Sequence, residues 1–170
     1  MRKEEQGLEG TYNWLEAALP TISGHNASVQ LGCILEEVHE LLEALQNANV
    51  PTIDPNLMSA LKTHANIFKK GQNQRVYQAL ETAWKPPPVR PEVADALADI
   101  NVTTTSFGRQ MYVHTPTALD IVNASNYSKF EDGMPVYDAY GKVAKGRHYV
   151  APDLTSALLP IPNADEKTES

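Results

Sequence analysis

Hydrophobic positions along the chain recur mostly at helical spacing. Between Leu31 and Leu45 (LGCILEEVHELLEAL) the apolar residues are Leu31, Ile34, Leu35, Val38, Leu41, Leu42 and Leu45. At 100° per residue they fill one arc of roughly 120°. This segment predicts the clearest amphipathic helix, from about Val29 to Ala48, capped by Asn26 or Ser28 and stopped by Pro51. A shorter helix is expected from about Thr11 to Leu19, ending at Pro20. Asp54-Pro55, an N-cap followed by proline in the first turn, opens a helix to about Lys70, with Gly71 closing it. Another follows from about Asn73 to Trp84. KPPPVRP is stiff and extended. Pro91 then opens a long helix, PEVADALADINVTTTSFGRQM, whose VTTTSF half has poor helix propensity and should need tertiary packing. A last helix is expected around Pro116 to Asn126.

Beyond it, SKFEDGMPVYDAYGKVAKGRHYVAPDL is rich in Gly, Tyr and Lys and reads as an ordered loop or a small hairpin, DGMPVYDAYGKV. There is no βαβ alternation, so no parallel sheet is expected. The predicted fold is all-α: a four-helix-bundle core with extra helices and a C-terminal irregular loop or small hairpin. It forms one domain over residues 10–155, with 1–9 and 160–170 as flexible tails.

Composition narrows the function classes. The 170 residues suffice for one domain with a core, and 42% hydrophobic content marks a globular chain. The net charge of -7 argues against nucleic acid as a partner. No apolar run approaches bilayer-spanning length, and no basic amphipathic segment would hold an anionic membrane. MRKEEQGLEG lacks an apolar signal core, so export is not expected. Cys33 is the only cysteine, which excludes an intramolecular disulfide and fits a reducing cytoplasm.

Charge complicates the strongest helix. Glu36, Glu37 and Glu40 occupy an arc of roughly 100° beside the apolar one, and no Lys or Arg lies three or four positions away. Taken alone, such a run reads as a solvated face. A second acidic row changes the reading. In PEVADALADI, Glu92, Asp95 and Asp99 share an arc of roughly 60°, opposite Val93, Leu97 and Ile100. If the two helices are antiparallel neighbours, the rows face one another and repel. A divalent cation removes that penalty, and oxygen-only donors favour the hard ions Mg²⁺ or Mn²⁺. Glu36 and His39 form the Glu-x-x-His of di-iron bundles, but no other histidine has a glutamate three positions earlier, and that fold needs two such motifs. His39 then flanks the site or is simply exposed.

EEVHE followed by PEVAD resembles the EExxE…ExxD signature of the all-α nucleoside triphosphate pyrophosphatases, the MazG-like superfamily. EVADALADI, and the tail VNASNYSKF…DG…GKVAKGRHYVAPDL, are similar to the forms found in a phage and bacterial branch. The resemblance covers roughly residues 27–48 and 91–154; the connection between the two acidic motifs is longer than the family usually has, and TYNWLEAALPTISGHN matches only loosely.

The resemblance implies conversion of a (d)NTP and water to a (d)NMP and diphosphate, with Mg²⁺ or Mn²⁺, two or three ions per site. It implies Glu37, Glu40, Glu92 and Asp95 as metal ligands, and Glu36 as a further ligand or the base that orients the attacking water. Asp99 would support these, bind a further ion, or be an exposed acid. Lys129 and Lys145 match positions expected to contact phosphate, with solubilising loop lysines as the alternative. Asn123 and Asn126 could bond sugar or phosphate, or cap a helix end. Tyr149 could stack or pack over the loop, and Trp14 and Trp84 are candidate base-stacking residues or core aromatics. By analogy the substrate is a purine nucleotide such as (d)GTP, in nucleotide-pool remodelling, and the assembly a homodimer or homotetramer. Alternatives are dUTP or phosphoribosyl-ATP as substrate, or a non-enzymatic helical interaction module.

Overall fold

The computed structural model describes residues 5–48, 50, 53–70, 74–83, 89–137 and 143–161. Its elements are α1 (Gly7–Ala18), α2 (Gly24–Asn47), α3 (Pro55–Lys69), α4 (Gln74–Ala83), α5 (Val89–Gln110), α6 (Thr115–Tyr127) and a 3-10 turn (Thr155–Ala157). Among the described residues strand pairing is confined to isolated bridges, so the fold is all-α as the periodicity predicts. No described helix is long and apolar enough to cross a membrane. Trp84, Gly71 and most of the expected C-terminal tail lie outside the described residues, as does the tip of the expected hairpin. Of that hairpin the described residues hold one bridge, Tyr137 to Val143. The chain divides into two compact units, Thr21–Val93 and Met1–Pro20 with Ala94–Ser170.

In the first unit α2 packs on α3 and α4. α2 starts earlier than its capping residues suggest. Ser23 is the N-cap, its hydroxyl accepting from Asn26 N at 3.1 Å. The Asn26 amide donates to Thr21 O at 2.6 Å, and Ser28 is buried, donating to Phe68 O at 3.2 Å. Asp54 caps α3 through Asn56 N at 2.8 Å, with Pro55 in the first turn. α3 seats against the small residues of α2. A Cβ at Gly32 would lie 2.7 Å from Lys69 Cγ and 2.9 Å from Ala65 O. The apolar arc read from the sequence is therefore not the face α3 covers. Leu31, Ile34, Val38 and Leu41 keep 38–43% of their surface exposed. Glycine and serine permit close backbone approach, whereas larger side chains would hold the helices further apart.

In the second unit α6 holds α1 along its length. Asp120 Oδ1 accepts from Gly7 N at 2.6 Å, an N-terminal cap supplied from another helix. Asn123 is fully buried; its amide donates to Gly7 O at 2.7 Å and its oxygen accepts from Thr11 Oγ1 at 2.8 Å. Tyr127 OH donates to Gly10 O at 3.1 Å. Asp120, Asn123 and Tyr127, spaced i, i+3, i+7, thus form one polar face. Asn123→Ala removes both partners at once and should cost about 1–3 kcal/mol, read as a lower denaturant midpoint.

The irregular C-terminal segment is stitched to α6 rather than loose. Ser125 Oγ donates to Val150 O, and Val150 N to Ser128 Oγ, both at 2.8 Å. Residues 91–107 of α5 are exposed throughout. Its threonines are not held by packing as their propensity suggests. Thr103 and Thr104 instead donate to the carbonyls of Asp99 and Ile100 at 2.8 and 2.6 Å.

Candidate functional site

The acidic row of α2 opens on a pocket of about 240 Å³. Glu36, His39, Glu40 and Glu43 line one wall; Lys62, Ala65 and Asn66 of α3 line the other. The two helices run antiparallel, with Ser28 beside Phe68 and Gly32 beside Ala65. The row lacks a basic partner on its own helix but has one across the groove: Lys69 Nζ is ion-paired with Glu36 Oε2. Sequence spacing missed this pair because it joins two helices. The available signal was Lys62 and Lys69, seven positions apart and therefore on one face of α3.

Glu37 stands outside the pocket wall, between Glu40 and the open apolar stripe. It remains open to solvent, yet the desolvation it does suffer is the largest cause raising its pKa. Repulsion from Glu40 and Glu36 adds to this, and Lys69 partly offsets it. Lys69 is itself shifted up by its bond to Glu36, so it stays protonated. The sign for stability follows. A carboxyl raised above its ordinary 4.5 favours folding while protonated and loses that contribution as pH rises through the raised value. Glu37→Gln should therefore melt higher than wild type at pH 7 without metal. The gap should close as pH falls through the carboxylate range, measured by paired thermal melts.

The other predicted ligands stand on α5. Glu92 falls in the Thr21–Val93 unit, and Asp95 and Asp99 in the other; all three are exposed. Among the described residues no three His, Cys, Asp or Glu side chains gather closely enough to hold a metal ion. Oxygen donors and mutual repulsion on α2 suit a hard cation, but α2 alone offers a wall and not a cage.

The predicted phosphate and sugar contacts fall in the second unit. Asn123 is spent on α1. Asn126 accepts from Lys129 Nζ at 2.7 Å through its side chain and from Trp14 Nε1 at 3.0 Å through its carbonyl. Lys129 lies 5.5 Å over the Trp14 ring, and Lys145 lies 4.5 Å over Tyr149. Gly146 N donates to Lys129 O at 3.2 Å, which brings the two lysine segments side by side. A larger cavity in this unit, about 480 Å³, is lined by Leu8, Thr104, Leu119, Val122 and Leu154 among others and carries no titratable side chain.

No protein-family model, no curated protein and no solved structure matches the chain.

Proposed function

We propose that the chain is a metal-dependent nucleoside triphosphate pyrophosphohydrolase, converting a (d)NTP and water to a (d)NMP and diphosphate. The observation that carries this reading is the α2 acid row: carboxylates whose mutual repulsion Lys69 only partly offsets, beside a polar pocket that also holds lysine. Glu37, Glu40, Glu92 and Asp95 would hold Mg²⁺ or Mn²⁺, which neutralises phosphate charge and acidifies bound water. Glu36, oriented by Lys69, would position the attacking water or complete the ligand set. Lys129, Lys145, Tyr149 and Asn126 form a second polar surface suited to the rest of the nucleotide. A purine nucleotide such as (d)GTP is the proposed substrate, the cytoplasm (of the host, if the chain is phage-encoded) the proposed setting, and a homodimer or homotetramer the proposed assembly. The bare apolar stripe of α2, matched by Val93, Leu97 and Ile100 at 45–50% exposure on α5, supports self-association.

That same bare surface favours a second reading, a helical interaction module without catalysis. A pyrophosphate-release assay over the common NTPs and dNTPs, dUTP and phosphoribosyl-ATP, with and without Mn²⁺, separates the two. Metal-dependent release from a purine triphosphate is the expected result. Release from dUTP or phosphoribosyl-ATP instead would reassign the substrate, and no release from any would leave the module.

A further inference from the structure

We propose that the apolar stripe of α5 is the face on which a second copy of this chain docks, the two α5 helices lying antiparallel across a two-fold axis. This rests on the homo-oligomeric part of the reading above and not on its chemistry.

α5 lacks the support that the other helices have. α2 packs on α3 and α4, and α1 on α6, whereas α5 packs on no described helix to a comparable extent. Every residue from 91 to 107 is exposed, and VTTTSF has poor helix propensity. Such a helix is marginal in water without a packed face. The rest of the chain does not supply one. Among the described residues the buried hydrophobic side chains are those of Ala18, Ala65 and Ala157.

The stripe is complementary to itself. Leu97, Ile100, Thr104 and Phe107 recur at steps of three, four and three, the spacing of a coiled-coil seam. Leu97, Ile100 and Phe107 are 39–46% exposed. Set antiparallel, Leu97 meets the partner's Phe107 and Ile100 meets the partner's Thr104, and the two-fold axis repeats both layers. Charge permits the match. Ala94, Ala96, Asn101 and Thr103 flank the seam without charge, while Glu92, Asp95 and Asp99 lie about 100–160° away around the helix. Two copies of a chain with net charge -7 therefore meet there without opposing their acids.

Area narrows the docking surface further. A seam of four layers falls short of the ~800 Å² per partner of a stable interface. Thr104 also lines the cavity of about 480 Å³, whose walls include Leu8 and Leu154, 61% and 43% exposed. Seam and cavity wall thus form one apolar surface, wider than a single helix stripe.

Sedimentation equilibrium of the intact protein tests the assignment. Wild type should have the mass of two or four protomers. Ile100→Glu, which puts a charge in the seam, should halve that mass. Val102→Glu, the same change on the far side of α5, should keep it. Cross-linking reads the orientation. With Cys33→Ser as background, Ile100→Cys chains mixed with Thr104→Cys chains should form mixed disulfide dimers on oxidation. A monomeric wild type, an unchanged mass in Ile100→Glu, an equal loss in Val102→Glu, or no mixed dimer would each overturn the assignment. Oligomers joined through another face, with pyrophosphate still released, defeat this inference alone. An α5 pair that releases no pyrophosphate from any nucleotide defeats the catalytic reading alone.

Discussion

In the Glu40→Gln variant, metal-dependent pyrophosphate release falls by at least about 100-fold while the helical circular-dichroism signal is unchanged. The size follows from the several kcal/mol of charge stabilisation that a properly held metal contributes to phosphoanhydride chemistry. The fold survives because Glu40 is exposed and its carboxylate makes no hydrogen bond or ion pair among the described residues. The substitution is nearly isosteric and removes only charge. Glu36→Gln is a poorer test, since it also breaks the pair with Lys69. A merely solvated acid row makes the opposite prediction. Without metal, neutralising Glu40 would relieve its repulsion with Glu36 and Glu37, about 0.2–0.5 kcal/mol per pair. The variant would then be slightly more stable and no less active in any assay.

Gly32→Val should lose about 1–3 kcal/mol of stability from overpacking. The first added carbon already meets Ala65 O at 2.9 Å and Lys69 N at 3.0 Å, both main-chain atoms that cannot turn aside. Relief requires α3 to move away from α2, which also draws Lys69 from Glu36 and widens the pocket. Gly32→Ala should cost less, because alanine returns about 1 kcal/mol of helix propensity. Urea denaturation of both variants measures the effect, and a Val variant with the wild-type midpoint would contradict the close approach.

Where an element begins and ends by its own chemistry, the residues announced it. Asp54-Pro55 opens α3 where an N-cap and a first-turn proline belong. Where a polar side chain leaves its own segment, sequence could not follow it. Ser28 and Asn26 looked like caps of α2, yet Ser28 reaches α3 and Asn26 reaches back to Thr21. Asn123 looked available to a ligand, but its whole amide is used on α1, more than a hundred positions away. The face of α2 chosen by α3 was hidden for another reason. A helical wheel reads hydrophobicity, whereas Gly32 and Ser28 select the face by being small. The Glu36–Lys69 pair was invisible at helical spacing because it crosses between helices.

Mn²⁺ titration of the intact protein, following loss of the free-ion electron paramagnetic resonance signal, tests most directly whether the acids of α2 and α5 form one cation site. Saturable binding is expected, and both Glu40→Gln and Asp95→Asn should weaken it strongly. No binding, or binding that Asp95→Asn leaves at the wild-type level, would contradict it.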